Sequence, residues 1–402
     1  DWYCNVNFQG NNEYNDGFSY DNWGGYNLLV KLNQQNPAVR QYLLDVVKYW
    51  VSEFDVDGIR LDAADVLDFG FMHELRMLAN EIKPEFWLMG EVIHGDYSRW
   101  VNPDMLHSVT NYQLYKALYS GHNEHNYFEI AHTVRYLLDK GNLPYHLYNF
   151  VDNHDVERIY TRLLNKHEFV PVHILMYTLP GIPSVYYGSE FGIEGRKEKH
   201  SDAVLRPAIN LEDYPNALDE NGCTNIIARL GEIRQKNSVF SDGIYQELRL
   251  TNRQYAFSRT NEITQAIVVV NNDEVDSSLD IPATGTYTEL LSGEIQSVDG
   301  NLHVHLHACS GQIWMKDYDE TVTRKREVKI PEIKQVAVKE ETIKQVTVDH
   351  SKSYEEMSIE ELQACVLEKL AKNGPVTEQM KRDVANNVYH DSLINWVKSF
   401  RN

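Results

Sequence analysis

Cysteine and basic residues are both scarce in this chain of 402 residues. Its four cysteines are far apart and lack the paired spacing of a zinc site; they are Cys4, Cys223, Cys309 and Cys365. This usage predicts reduced thiols and a cytoplasmic location. With 38 basic and 59 acidic residues, a net charge of −21, the chain lacks the excess of Lys and Arg that a nucleic-acid partner requires.

Long apolar runs are missing as well. The most apolar stretch, residues 169–187, is interrupted by His173, Pro180 and Pro183. It is too short and too broken for a membrane span, so it predicts a buried helix followed by a strand. We therefore expect no association with a membrane.

Three short apolar segments each lead to an acidic residue. They are GIRLD, LMGEV and FVDNHD, and each predicts a β-strand with an acid at its carboxyl end, here Asp62, Glu91 and Asp155. A barrel of eight strand–helix units in about 250 residues uses about 31 residues per unit. The 29 positions from Asp62 to Glu91 correspond to one unit, and the 64 positions from Glu91 to Asp155 correspond to two.

Three acids at strand ends suit the hydrolysis of a glycosidic bond. Arg60 and Asp62 lie on the same side of a strand, and a guanidinium lowers the pKa of a nearby carboxylate, as an ionised nucleophile needs. Glu91 follows bulky apolar residues, which raise the pKa of an acid that must donate a proton. Asp155, beside His154, is placed to orient sugar hydroxyls. An acid and a nucleophile about 5–5.5 Å apart give retention of configuration.

The segments GIRLDAAD, GEVI and FVDNHD resemble three signature regions of the α-amylase family, family 13 of the glycoside hydrolases. The resemblance implies that Asp62 is the nucleophile, Glu91 the general acid and base, and Asp155 the stabiliser of the transition state. It also implies that Arg60 and His154 hold the sugar at the cleavage point.

Further segments extend the resemblance. Residues 181–190 resemble the eighth barrel strand of the family. Residues 202–207 resemble a loop that grips the next sugar through an Asp and an Arg, here Asp202 and Arg206. LVKLN at residues 29–33 resembles the fifth region of the neopullulanase and cyclomaltodextrinase branch, although the Met and Pro of that region are replaced.

The family's first signature region, which supplies an Asp and an Asn-His pair after the third strand, is absent upstream of Asp62. Residues 36–54 predict an amphipathic helix before strand four, and residues 1–35 predict the end of the loop after strand three. We therefore expect a TIM-type (β/α)8 barrel represented only by strands four to eight, in residues 36–238. Because the chain begins at Asp1 and not at Met, we expect its true N-terminus to be missing. The exposed strand edges predict that this segment alone is poorly soluble and inactive.

The pattern changes after a predicted last barrel helix at residues 224–235. Short alternating strands separated by turn signals follow, and they predict an antiparallel β-sandwich over residues 239–316. His303, His305 and His307 share one face of one of these strands. Because no carboxylate or cysteine pattern accompanies them in the sequence, we predict no metal site.

The last part of the chain departs from the family pattern. Residues 317–357 predict a charged linker or surface strands, and residues 358–402 predict a helical tail. Ser358 and Glu361 have the spacing of a capping box at the start of its first helix, and a second helix is predicted from Thr377. Two short amphipathic helices need a docking surface, so we expect the tail to pack on its own chain, on a second copy or on another protein.

These observations define a leading function and two alternatives. The resemblance implies a retaining hydrolase of α-glucosidic bonds in maltodextrins or starch-derived oligosaccharides, with the preference between α-1,4 and α-1,6 bonds left open. A transglycosylase uses the same three acids. A non-catalytic carbohydrate-binding or interaction protein on the same fold is the other alternative, but such proteins typically lose an acid. The reaction needs no cofactor, and the calcium ion of many family members would involve the missing first region.

Overall fold

The structure, a computed structural model, describes residues 1–83, 85–199, 201–316, 353–354, 357–373, Val384, Leu393, Ile394, Val397 and Lys398. It divides into two compact units, residues 1–332 and 333–402. The predicted linker and the second helix of the tail lie almost entirely outside the described residues.

The described α-helices follow in chain order. They are α1 (Pro37–Phe54), α2 (Phe69–Ile82), α3 (Tyr112–Asn123), α4 (Tyr127–Leu138), α5 (Ile159–Arg162), α6 (Phe169–Thr178), α7 (Ala217–Glu220), α8 (Gly222–Lys236), α9 (Val239–Asp242) and α10 (Ile359–Asn373). The described strands are β1 (Asn22–Trp23), β2 (Tyr26–Val30), β3 (Gly58–Leu61), β4 (Trp87–Gly90), β5 (Ser108–Val109), β6 (Tyr148–Asn149), β7 (Ile182–Pro183), β8 (Ile244–Leu250), β9 (Gln254–Thr260), β10 (Gln265–Asn271), β11 (Ser277–Glu289), β12 (Ile295–Leu306) and β13 (Ser310–Lys316).

Helix α1 confirms the amphipathic helix that was predicted before the first acidic segment. Its start is set by Asn36, whose side chain accepts a hydrogen bond from the backbone N–H of Ala38, and by Pro37 in the first turn. Its end is marked by Asp55 in the left-handed conformation, with φ of 50°. The buried side of α1 packs with α2, β3 and β4 in one apolar cluster.

Five short parallel strands, β3 to β7, follow one another in chain order. Strand β4 pairs with β3 and β5, β6 pairs with β7, and a bridge between Thr110 and Tyr148 joins the two groups. The third acidic segment differs from its prediction, because β6 ends at Asn149 and residues 150–155 are not strand. The Asn153 side chain accepts hydrogen bonds from the backbone N–H groups of Asp155 and Val156, which turns the chain there.

The first 35 residues are more ordered than a loop of that composition suggests. Strands β1 and β2 form a short antiparallel hairpin, and further antiparallel bridges join Tyr3 to Leu32 and Asn7 to Ser19. Many apolar side chains of these 35 residues are exposed, including that of Leu28 at 81%.

Strands β8 to β13 form one antiparallel sheet, in the order β12-β11-β13-β10-β9-β8. The prediction of two packed sheets is corrected accordingly. Strand β11 is 13 residues long, and its hydrogen bonds to both β12 and β13 keep all six strands in one sheet. The sequence hid the first half of β11 because Pro282 and Gly285 interrupt its alternation.

The two faces of this sheet bury different partners. Along β10, Ile267 and Val269 pack against other strands of the sheet, including Trp314 of β13. The alternate residues Val268 and Val270 join a cluster with α3, α4, α6 and α8. The sheet thus covers the helices of the parallel-strand region.

Helix α10 confirms the predicted capping box. The Ser358 hydroxyl accepts a hydrogen bond from the backbone N–H of Glu361 at 3.2 Å, and the Glu361 carboxylate accepts one from the backbone N–H of Ser358 at 2.8 Å. The apolar stripe of α10 packs within its own unit. The apolar cluster to which it belongs also contains residues from outside the helix, namely Val384, Leu393, Ile394 and Val397. In the part of the chain that is described, every helix falls short of the length and apolar character that a membrane crossing requires.

Candidate active site

Asp62 and Glu91 lie side by side because their strands are in register. Leu61 at the end of β3 pairs with Gly90 at the end of β4, and each acid is the next residue along the chain. The backbone N–H of Glu91 donates to the carbonyl of Leu61 at 2.8 Å, which fixes the two strand ends. Gly90 leaves no room for a larger residue, since a Cβ there would lie 2.8 Å from the Cβ of Ala64.

Arg60 joins these two acids. Its Nη1 lies 3.0 Å from Oδ1 of Asp62 and its Nη2 lies 3.1 Å from Oε2 of Glu91. The alternation along β3 places Arg60 on the same side as Asp62, as the sequence predicted. The sequence did not predict that the same guanidinium also holds Glu91.

Glu91 is buried and is held by donors in addition to Arg60. Its Oε2 accepts a hydrogen bond from the backbone N–H of Ala63 at 3.3 Å, and its Oε1 accepts one from the Tyr112 hydroxyl at 3.3 Å. The environment predicted for Glu91 was apolar, whereas its carboxylate in fact meets three polar groups. Asp62, in contrast, has a side chain that is 82% exposed.

Tyr112, at the start of α3, is a site residue that sequence reasoning missed. Its hydroxyl also accepts a hydrogen bond from Nδ2 of Asn153 at 3.2 Å, so it links Glu91 to the segment that carries Asp155. Its ring packs edge-on against Phe150, with centroids 4.9 Å apart. Burial raises the pKa of Tyr112 to about 12, so the hydroxyl keeps its proton near neutral pH. No local sequence signal distinguishes Tyr112 among 25 tyrosines.

Asp155 is the centre of a second polar cluster. Its Oδ2 lies 3.1 Å from Nε2 of His154, and its Oδ1 lies 2.9 Å from Nη2 of Arg206. Arg206 also donates to the backbone carbonyl of His154 at 3.1 Å and lies 3.4 Å from Asp202. The residues predicted to hold sugars, His154, Asp202 and Arg206, therefore come together around Asp155.

Lys197 is a second residue that the sequence did not single out. Its Nζ donates to the backbone carbonyl of Asp155 at 2.7 Å and lies 3.4 Å from Oδ1 of Asp202. The Lys197 side chain is about half exposed. The sequence does not predict these contacts, because they depend on how the loop after β7 folds.

A buried arginine, Arg158, contacts the segments that carry the Asp155 cluster. Arg158 is fully buried, and its guanidinium donates to the backbone carbonyls of Tyr187 and Leu205. Its charge lies over the ring of Tyr186 at 4.1 Å, and that ring contacts His154. Since Leu205 precedes Arg206, Arg158 ties the loop of Arg206 to the segment of His154.

Acidic residues at the carboxyl ends of successive parallel strands are the arrangement of barrel enzymes. Residues 4–241 match the family described as "Alpha amylase, catalytic domain", and residues 249–369 match "Alpha amylase, C-terminal all-beta domain". The first match covers more than half of the chain. The chain therefore belongs to the α-amylase family of glycoside hydrolases.

Several curated relatives have names that belong to the neopullulanase and cyclomaltodextrinase branch, the branch that residues 29–33 resemble. The cyclomaltodextrinase of Thermoanaerobacter pseudethanolicus is 30% identical over 249 residues, which are 61% of this chain and 42% of that protein. The intracellular maltogenic amylase of Bacillus subtilis is 29% identical over 265 residues, 64% of this chain and 44% of that protein. Neopullulanase 2 of Thermoactinomyces vulgaris is 29% identical over 297 residues, 71% of this chain and 49% of that protein. The chain thus spans less than half of the length of each.

Solved structures show the same fold. Ttha1563 from Thermus thermophilus aligns with a TM-score of 0.67 at 25% identity, covering 79% of this chain and 70% of that one. An Anoxybacillus alpha-amylase aligns with a TM-score of 0.62 at 25% identity, covering 71% of this chain and 64% of that one.

Proposed function

We propose that the protein is a retaining glycoside hydrolase that cleaves α-glucosidic bonds in maltodextrins and other starch-derived oligosaccharides. The observation that carries this proposal is the bridge that Arg60 makes between Asp62 and Glu91. It places one exposed and one buried carboxylate at neighbouring strand ends, which suits a nucleophile and a proton donor. The relatives named cyclomaltodextrinase and maltogenic amylase support the substrate class.

The proposed reaction has two displacements. A carboxylate oxygen of Asp62 attacks the anomeric carbon while the bond to the leaving oxygen breaks, and Glu91 donates its proton to that oxygen. In the second step water attacks the same carbon, the bond to Asp62 breaks, and Glu91 takes a proton from the water. Asp155 stabilises the positive charge that develops on the sugar ring.

The sugar-binding roles follow from the second cluster. His154 lies against Asp155, where its ring can donate a hydrogen bond to a sugar hydroxyl. Asp202 and Arg206 extend the same polar surface, and we assign them to the next sugar along the chain. A transglycosylase would use these groups in the same way, with a sugar hydroxyl replacing water in the second step.

We also propose that β3 to β7 are barrel strands four to eight and that further polypeptide completes the barrel. Strand β3 lies at one edge of the described parallel sheet. The neighbouring face of α1 exposes large apolar side chains, with Tyr49 at 56% and Phe54 at 65%. An exposed face of that kind needs a covering element. The alignments with relatives cover only 42% and 44% of those proteins, which is consistent with this proposal.

The remaining assignments follow from this proposal. The acids need no cofactor, and no described residue is proposed as a calcium ligand. The described cysteines carry free thiols, which supports a cytoplasmic protein. We propose an α-glucan oligosaccharide as the ligand, and neither nucleic acid nor membrane as a partner. Residues 358–402 remain the candidate surface for a second copy or another protein.

The test uses the complete protein and two single substitutions. Asp62→Asn and Glu91→Gln are each expected to lower kcat on maltotriose by about 1000-fold or more, because each removes an acid that the reaction needs. Asp45→Asn on α1 and Glu81→Gln on α2 remove exposed carboxylates elsewhere and are the matched controls. Wild-type activity in either acid variant would reject the assignment.

Two further measurements separate the alternatives. Product analysis at high maltotriose concentration distinguishes hydrolysis from transglycosylation, because only transfer yields products longer than the substrate. Residues 1–402 alone are expected to be inactive. Hydrolysis of maltooligosaccharides by that segment would reject the proposal of an incomplete barrel.

A further inference from the structure

The hairpin of β11 and β12 carries a ladder of polar pairs on its exposed face. Asp280 lies opposite His303 and Ser278 lies opposite His305. His307, the residue after β12, continues the alternation of His303 and His305. The alternate residues of the strand, Leu302 among them, are buried in the core of the sheet. The opposite face of the hairpin is thus packed in the core of the sheet.

Asp276, immediately before β11, reaches two of these histidines. Its Oδ2 lies 3.0 Å from Nδ1 of His307 and 3.5 Å from Nε2 of His305. Each residue offers one ligand atom, and all three atoms lie within 4.8 Å of one another. Ligands about 2.0–2.1 Å from a tetrahedral ion are about 3.3 Å apart, so both separations from Asp276 fit such an ion.

Neighbouring groups orient two of the three ligands. The other carboxylate oxygen of Asp276, Oδ1, accepts a hydrogen bond from the backbone N–H of Ala308 at 3.0 Å. Nδ1 of His305 lies 3.1 Å from the Ser278 hydroxyl, which can accept a hydrogen bond from a protonated Nδ1. In that tautomer Nε2 of His305 presents a lone pair toward Asp276. Such outer partners are what fixes ring orientation in known metal sites.

We propose that Asp276, His305 and His307 bind one divalent transition-metal ion of the Zn²⁺, Ni²⁺ or Cu²⁺ class. Two imidazoles and one carboxylate suit these ions, whereas Ca²⁺ and Mg²⁺ prefer oxygen ligands alone. The side chains are 51–78% exposed, so water completes the coordination. The ion joins the chain just before β11 to the end of β12 and stabilises the hairpin by binding the folded state only.

This proposal departs from the sequence-based prediction of no metal site. The alternation of the histidines was visible in the sequence, but the carboxylate was not, because Asp276 lies 31 positions before His307. Only the pairing of β11 with β12 brings it to them. The site lies on the C-terminal sheet and uses none of the residues assigned to catalysis.

The experiment is a calorimetric titration of the complete protein, without an affinity tag, with ZnCl₂ and with NiCl₂. Asp276→Asn and His305→Ala are each expected to weaken the binding of one equivalent by at least tenfold, because a three-ligand site then keeps two ligands. His303→Ala, whose ring pairs with Asp280, is the matched control and keeps the wild-type affinity. CaCl₂ and MgCl₂ should not displace the ion.

A second readout protects the test against a folding defect. Zn²⁺ is expected to raise the melting temperature of the wild type and of His303→Ala, and to raise that of His305→Ala by less, while circular dichroism shows all three folded. Equal affinity in the wild type and in both ligand variants would overturn the proposal. So would a loss in His303→Ala as large as that in His305→Ala.

Discussion

Arg60 contacts Asp62 and Glu91 at the same time, through Nη1 at 3.0 Å and Nη2 at 3.1 Å. The planar fork of a guanidinium can hold two carboxylates at a fixed separation, which a single ammonium cannot. The relative placement of the proposed nucleophile and proton donor therefore depends on one side chain, 34% exposed, on β3.

Arg60→Lys is expected to lower kcat on maltooligosaccharides by about 100-fold, because it breaks this bridge while keeping the charge. Steady-state kinetics of the complete protein measure the effect. Arg99→Lys, which changes an exposed arginine between β4 and β5, is the control. A variant that retains wild-type kcat would show that the bridge does not set the geometry of the acids.

Tyr112→Phe is expected to lower kcat/KM by about tenfold. The substitution removes the hydroxyl that donates to Glu91 and accepts from Asn153, and one hydrogen bond to a charged group contributes about 1.5–3 kcal/mol. The matched control is Tyr115→Phe, which removes a hydroxyl from the next ring against Phe150. Equal losses in the two variants would mean that packing, rather than the hydrogen bond to Glu91, is responsible.

Arg158→Lys is expected to destabilise the protein by about 2 kcal/mol or more. Two nitrogens of the planar guanidinium donate to the carbonyls of Tyr187 and Leu205, and the single ammonium of lysine cannot donate to both in the same geometry. Urea unfolding measures the loss. Arg196→Lys, at an exposed position, should be within about 0.5 kcal/mol of the wild type. Since Arg158 supports the loop of Arg206, KM for maltotriose should also rise, and an unchanged KM would argue against that support.

Glu168 is expected to make stability fall as pH rises. It is buried, neither carboxylate oxygen has a hydrogen-bond partner, and its Oε1 lies 3.6 Å from Nδ1 of His125. Burial raises its pKa from 4.5 to about 7. Between pH 4.5 and 7 the folded carboxyl keeps its proton while the unfolded one has lost it, so folding is increasingly disfavoured across that interval and no further above it.

Glu168→Gln removes this ionisation. The variant is expected to be more stable than the wild type at pH 8, by up to about 3 kcal/mol, and to differ little at pH 4.5. Thermal unfolding at both pH values measures the difference, with exposed Glu262→Gln as the control. A stability difference that is the same at both pH values would contradict the proposed titration.

Ser358→Ala is expected to destabilise α10 by about 1 kcal/mol, because the backbone N–H of Glu361 loses its acceptor. Amide hydrogen exchange over residues 358–373 measures the change. Ser358→Thr keeps a hydroxyl at the cap and should exchange almost as slowly as the wild type. Faster exchange in Ser358→Thr to the same degree as in Ser358→Ala would exclude the capping role.

Much of the fold was predictable where the physics is local. Helix α1 follows from apolar periodicity and the Asn36 cap, and α10 follows from the Ser358–Glu361 capping box. The strand positions of Asp62 and Glu91 follow from short apolar runs. Residues 150–155 were predicted less well, because Asn153 turns a segment whose apolar start is typical of a strand.

The polar contacts across the site were not predictable. Tyr112 reaches Glu91, and Lys197 reaches Asp155, only because separate strand ends meet in the folded chain. The same holds for Asp276 and His307, which belong to opposite sides of one hairpin. Each contact depends on register and on chain direction, neither of which has a local signature.

By itself, the sequence determined which chemical groups this protein has and which local elements carry them: the acids at positions 62, 91 and 155, the caps and the apolar periodicities. These are properties of neighbouring residues, so short-range physics suffices to identify them. The tertiary structure alone decided how the groups are paired. Arg60 joins two acids from two strands, Arg206 joins Asp155, and one sheet replaces a sandwich, because strand pairing brings together residues that are distant in sequence.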